Sequence, residues 1–134
     1  MIGLDTNVLV RFLVEDDKAQ SAAAGALIER AIADDEPLFV SDIVLCEVVW
    51  VLEYSYEVPR AEVHAALRDL LHARHLVFAD SDLLARALAA FAAGKADFPD
   101  YVLREHALAA GCTTVATFDR ALLKEPGFTR PASR

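Results

Sequence analysis

The run Ile43 to Leu52, IVLCEVVWVL, holds nine apolar residues and one carboxylic acid, Glu47. An ionised carboxylate removed from water is costly, so in hydrocarbon it pairs with a cation, stays protonated or binds a metal. The nearest basic residues along the chain are Arg30 and Arg60, so a partner for Glu47 has to come from elsewhere in the fold. The ordinary alternative is a helix face that turns Glu47 to water, for which one polar residue in the run leaves little room. Three more acids stand at positions suited to joining it. Asp5 ends the apolar piece MIGL, Asp100 lies in DFPD three residues after Asp97, and Asp119 follows an apolar-to-Thr stretch in ATFDR. Carboxylates that share a small volume raise one another's pKa and do not all stay ionised without cations.

Oxygen donors without a Cys or His cluster select Mg²⁺ or Mn²⁺ over zinc. His64, His72, His75 and His106 show no His-Glu-x-x-His spacing and read as surface or capping groups. A divalent ion held by two or three carboxylates and water belongs to phosphoryl-transfer chemistry, where it offsets charge on a phosphate and activates water. Each acid also has a plainer role open to it. Asp5 and Asp119 would cap the segments after them, Asp100 would complement a helix dipole, and Asp97 is explained by an N-cap more readily than by a metal.

The elements that must carry these acids follow from periodicity. Met1–Leu4 reads as a strand delivering Asp5 to a loop, followed by helical spacing from Val8 to Val14. Asp16 or Asp17 opens a helix to about Ala33, with its stripe at Ala19, Ala23, Ala26, Leu27 and Ile32. Leu38–Val40 is a second strand. Ser41 or Asp42 can cap the run from Ile43 to about Tyr54, whose length favours helix over strand. Pro59 opens a helix to about Ala73, Leu76–Phe78 is a third strand, and Asp80 or Ser81 starts a helix to about Ala93. After Gly94, Asp97 with Asp100 resembles a capping box on a helix ending near Gly111. Thr113–Thr117 is a fourth strand, then a short helix and a fifth strand near Phe128. Alternating strands and helices imply crossover units and a parallel sheet covered on both faces, with ligands gathering beyond the strands' carboxyl ends. Asp5 and Asp119 both lie just past such an end.

With 134 residues, 55% of them hydrophobic, the chain is of single-domain size and can bury a core. A net charge of −8 excludes a binder that meets nucleic acid through a basic face, but not an enzyme that meets phosphates through divalent cations. Cys46 and Cys112 lack metal-ligand spacing and read as buried free thiols, which suits a reducing compartment. No apolar stretch approaches the ~18 residues of a membrane span, and MIGLDTNVLVR has no basic segment before its apolar residues, so a soluble cytoplasmic protein is expected.

Four segments in order, LDTNVLV with Asp5, SDIVLCEVVWVLE with Glu47, DFPDYVL with Asp97 and Asp100, and ATFDR with Asp119, resemble the PIN-domain ribonucleases, most closely the VapC-type toxins of prokaryotic toxin–antitoxin pairs. The resemblance runs from about Ile2 to Phe128. It implies an α/β fold, a PIN-like three-layer α/β/α sandwich around a central parallel sheet of four or five strands. It further implies one PIN domain over residues 1–134, of which 129–134 read as a loose tail. The implied activity is Mg²⁺- or Mn²⁺-dependent endonucleolytic cleavage of RNA, with a catalytic, metal-binding quartet at Asp5, Glu47, Asp100 and Asp119. Asp97 matches a frequent extra acid. Thr6 and Asn7 match small polar residues after the first acid, and Thr117 matches the Ser or Thr before the last, all three orienting carboxylates or water. A cognate antitoxin and a homodimer are the implied partners.

Arg104, four residues after Asp100, would touch a substrate phosphate or pair with Asp100 along the helix. Arg11 and Lys18 are weaker candidates for an RNA path. Trp50, Tyr54 and Tyr56 read as core or interface packing rather than as platforms for bases. Two rival readings stand beside the nuclease. A phosphotransfer domain using Asp5 as acceptor conflicts with Asn7 where haloacid-dehalogenase-like enzymes need Asp, and with the placement of acids and Lys that response-regulator receivers require. A non-catalytic binding module would use the acids only to anchor a basic partner. A PIN nuclease of RNA processing, outside any toxin pair, is a third alternative.

Overall fold

Five short parallel strands form where the apolar runs predict them, yet their hydrogen bonds divide them into two sheets. A computed structural model describes residues 1–132 of the chain. It falls into two compact units, Met1–Ser81 and the residues from Asp82 onward.

In the first unit, β1 (Ile2–Gly3), β2 (Leu38–Phe39) and β3 (Leu76–Val77) form a parallel sheet in the order β1-β2-β3. Ile2 pairs with Leu38 and Leu38 with Leu76. Extended residues lengthen each short ladder: the Leu4 N–H donates to the Phe39 carbonyl at 2.9 Å and the Val40 N–H to that of Val77 at 2.9 Å. Parallel neighbours need crossovers, supplied here by helices. Helices α1 (Thr6–Leu13) and α2 (Lys18–Ala33) link β1 to β2; α3 (Asp42–Trp50), a π-helical turn (Val51–Ser55) and α4 (Arg60–His72) link β2 to β3. Asp17 caps α2 by accepting from the Gln20 N–H, and Ser41 caps α3 by accepting from the Val44 N–H. Leu9, Leu38, Val40, Leu45, Val48, Val63 and Leu67 are fully buried core residues.

The second unit contains most of α5 (Ser81–Ala93), then α6 (Phe98–Ala109), β4 (Val115–Ala116), a 3-10 turn (Leu122–Lys124) and β5 (Phe128–Thr129). Strands β4 and β5 pair in parallel, with Val115 opposite Phe128. Leu84, Ala87, Phe91, Phe98 and Tyr101 are fully buried, and Phe91 meets Phe98 edge-on at 5.9 Å between centroids.

Three expectations need correction. The strands form ladders of three and two, not one sheet of four or five, because Thr113–Thr117 finds its hydrogen-bond partner in the Phe128 segment. The tail does not begin at 129: the Thr117 N–H donates to the Thr129 carbonyl at 2.9 Å, so Thr129 belongs to β5, while positions 133 and 134 lie outside the described residues. Cys112 is exposed and Cys46 only partly buried, although both thiols are free as expected. No helix among the described residues is long and apolar enough to cross a membrane.

Candidate functional site

Each unit gathers its own group of candidate acids. In the first, Asp5 follows β1 in extended conformation and caps α1, its Oδ1 accepting the Thr6 N–H at 2.8 Å. The buried Thr6 side chain then donates its hydroxyl to Oε2 of Glu47 at 2.9 Å. Thr6 thus touches both acids, Asp5 through its backbone N–H and Glu47, 41 positions away in sequence, through its hydroxyl. Helix α1 packs on α3, which is why the first turn of one reaches the middle of the other.

Glu47 itself overturns the expectation of burial. It is exposed, and so are Ile43, Trp50 and Tyr54 at 71%, 52% and 68%. Ile43, Glu47 and Trp50 share one helical stripe, while Leu45, Val48, Val49 and Leu52 fill the core. Trp50 and Tyr54 are therefore not core residues. Asn7 is exposed beside Thr6, where it lines a shallow hollow with Arg11 and Gln20. Arg11 is engaged within its own unit: Nε donates to Gln20 at 2.6 Å, while one terminal nitrogen donates to Asp16 and to the Tyr56 hydroxyl, each at 3.0 Å. Lys18 is exposed at the start of α2.

In the second unit, Asp97 is the N-cap of α6 and Asp100 completes a capping box, its Oδ2 accepting the Asp97 N–H at 3.1 Å. Burial pushes the Asp100 carboxyl above the usual carboxylate range, and the charges of Asp97 and Asp119 push it the same way. Asp119 caps the 3-10 turn, its Oδ1 accepting from Ala121 at 2.8 Å and Leu122 at 3.4 Å. Thr117 holds the backbone instead of the carboxylate, its hydroxyl accepting the Asp119 N–H at 3.0 Å.

Arg104 does not pair with Asp100. Its Nε lies 3.4 Å from Glu105, one terminal nitrogen donates to the Pro126 carbonyl at 3.0 Å, and its guanidinium stacks 5.1 Å from the Tyr101 ring centroid. Only 12% of the side chain is exposed, so a substrate phosphate has little of it to meet. Glu125, which local spacing does not flag, accepts the Lys95 N–H at 2.8 Å and the Ala96 N–H at 3.3 Å. A carboxylate recruited by two backbone donors 29 and 30 residues away leaves no periodic trace in sequence.

The donor set is one a hard divalent cation accepts: all carboxylate oxygen, with Asp5, Glu47, Asp100 and Asp119 each using one oxygen on an N–H or O–H donor. Among the described residues none of the four forms an ion pair with Lys, Arg or His. No three His, Cys, Asp or Glu side chains among the described residues are grouped closely enough to hold a metal ion.

The family model of the PIN domain matches residues 2–127. No curated protein matches the chain. PIN domains are in general nucleases, and the parallel strands and interleaved helices of both units are those of an α/β fold. With the match covering the chain from β1 to the segment before β5, and with the four acids inside it, this protein belongs to the PIN-domain family.

Proposed function

We propose that this PIN-domain protein is a Mg²⁺- or Mn²⁺-dependent endoribonuclease acting in the cytoplasm as the toxin of a VapC-type toxin–antitoxin pair. The observation that carries the reading is the state of the four acids. Asp5, Glu47, Asp100 and Asp119 are each oriented by a hydrogen bond, and none has a basic partner among the described residues. Hydrogen bonds that fix a carboxylate without neutralising it leave its charge available to a cation.

In this reading the candidate metal ligands are Asp5 and Glu47 in the first unit and Asp100 and Asp119 in the second, and the ion would offset charge on the phosphodiester and lower the pKa of attacking water. The chain's own part is orientation. Thr6 keeps one oxygen of Glu47 occupied and so directs the other, and the α6 cap does the same for Asp100. Asp97 serves chiefly as the cap of that helix. Asn7 and Thr117 act on orientation from outside the metal's contacts.

Apolar surface supports the partners. Ile43, Trp50 and Tyr54 stand exposed on the first unit, and a groove of about 460 Å³ lined by Leu9, Phe12, Ile28, Ile32 and Leu70 opens on the same unit. Exposed apolar surface of this kind marks sites for a second copy or for an antitoxin segment.

The test is cleavage of structured and single-stranded RNA by purified protein with Mn²⁺, with EDTA, and with the Asp5→Asn and Asp100→Asn variants. Cleavage that requires the ion and both acids is expected. RNA bound but left intact by the wild type under every metal condition would reduce the protein to a binding module. Growth arrest on expression, relieved by a neighbouring gene's product, tests the toxin assignment separately.

A further inference from the structure

In the second unit, three consecutive backbone N–H groups run into the cap of α6, and carboxylates take all three. Glu125 accepts from Lys95 at 2.8 Å and from Ala96 at 3.3 Å; Asp100 accepts from Asp97 at 3.1 Å. The Tyr101 hydroxyl, fully buried, also accepts from Ala96 at 3.1 Å. At its other end Glu125 closes the 3-10 turn that Asp119 opens: the Glu125 N–H donates to Leu122 at 2.9 Å, while Asp119 accepts from Ala121 at 2.8 Å. One side chain therefore ties the loop entering Asp97–Asp100 to the turn that starts at Asp119.

The neighbourhood is shaped for this tie. A Cβ on Gly94 would collide with the buried Tyr101 hydroxyl and stand 2.9 Å from the Glu125 carboxylate, so the loop approaches both as closely as it does only because Gly94 has no side chain. A second strut runs parallel to it, from Arg104 in α6 to the Pro126 carbonyl at 3.0 Å. There the Arg104 stem lies against Gly127, whose φ of +89° is accessible to glycine without strain. Arg104 is held in turn by Glu105, which Arg86 also contacts at 3.1 Å.

We propose that Glu125 is a positioning residue: its carboxylate sets the separation of Asp100 and Asp119, and thereby the affinity of the acidic site for its divalent cation. The inference rests on the metal-dependent reading above, and adds to it a residue that touches neither ion nor substrate. The Lys95 N–H, with the Ala96 N–H behind it, holds the Glu125 carboxyl below the usual range, yet what both donors require is an acceptor at that reach, which separates this role from one in which Glu125 acts on the cation through its charge.

Glu125→Gln keeps the length and one acceptor oxygen but loses the charge; Glu125→Asp keeps the charge but falls one methylene short. Mn²⁺ affinity of the full chain is read by calorimetry, with amide exchange at Lys95 and Ala96 and cleavage at saturating Mn²⁺ alongside. If Glu125 is a brace, the Asp variant binds Mn²⁺ about tenfold or more weakly with faster exchange at both amides, the Gln variant stays within about threefold, and saturating Mn²⁺ restores most of the turnover of either. The opposite order, Gln weak and Asp normal, assigns Glu125 to electrostatics and overturns the proposal. So does wild-type Mn²⁺ affinity in the Asp variant despite faster exchange. A wild type that binds no Mn²⁺ sinks the metal-dependent reading itself, and is recognised before any variant is made.

Discussion

The two acid groups are built by different means. In the first unit, Asp5 and Glu47 are exposed carboxylates joined through one buried threonine, and their meeting depends on α1 lying against α3. In the second, Asp97, Asp100 and Asp119 are cap residues at the starts of a helix and a turn, and burial, together with the charges of the other two, raises the Asp100 carboxyl above the usual carboxylate range. The first group is organised through a long-range hydrogen bond and the second by local capping plus mutual repulsion. Repulsion between carboxylates costs stability that an incoming cation returns, so the second group is where metal binding should be felt most strongly in folding.

The largest expected effect breaks the second group. Asp100→Asn retains an oxygen to accept the Asp97 N–H, so the protein should fold normally, yet metal-dependent RNA cleavage should fall by more than about 100-fold, beyond the range typical of residues outside the metal's contacts. Unchanged turnover in the purified variant would remove Asp100 from the machinery. Next comes the first group's link. Thr6→Val fills nearly the same volume without the hydroxyl and should cost about 10- to 100-fold in Mn²⁺ affinity or cleavage, with Thr6→Ser recovering most of it. Equal activity in Val and Ser variants would show that the bond to Glu47 is incidental.

Stability against pH gives a smaller effect, of opposite sign in the two units. The folded Asp100 carboxyl titrates above its unfolded value, so between the two the folded state binds more protons and stability falls as pH rises. In EDTA at pH 7, Asp100→Asn should therefore melt no lower than the wild type. Asp16 lies the other way, its carboxyl held low first by the Tyr56 hydroxyl at 2.7 Å and then by Arg11. Its contribution is present above the unfolded carboxylate range and lost as pH falls through the folded value, so Asp16→Asn should lower the melting temperature at pH 7 and converge on the wild type in acid. Thermal melts across pH 3–7 for both variants, run in parallel, check the two signs.

The smallest effect concerns the thiols. Burial, with the Asp42 charge nearby, pushes the Cys46 thiol up to about 11, whereas Cys112 is exposed. Alkylation at pH 8 should modify Cys112 at least about tenfold faster than Cys46, because the thiolate is the nucleophile. Mass mapping of the first modified peptide decides it.

Local signals in the chain read truly where the physics is local. Asp17, Ser41 and the Asp97–Asp100 pair mark the helix starts at which they stand, since capping is settled within a turn by which side chain can reach an unsatisfied N–H, and Pro59 marks another through its fixed φ. The five strands were likewise visible as apolar runs, and the family by the segments that carry its resemblance. Glu47 shows where such reading stops. A helix apolar on nearly every side carries no sign of which stripe will face water, so the outward turn of Glu47 with Ile43 and Trp50 is a result of α3 meeting α1. Arg104 shows it again: spacing put Asp100 within its reach, but Tyr101, Glu105 and the Pro126 carbonyl took the guanidinium.

By itself, then, the amino-acid order determined the element types and the caps, because each depends on contacts spanning a few residues. Which strands pair, which face of α3 is wet, that Thr6 meets Glu47, and that Glu125 reaches across to the loop before α6 were decided only by the tertiary structure. Those outcomes join residues 13 to 41 positions apart, and a hydrogen bond over such a distance forms only after packing has brought both ends together.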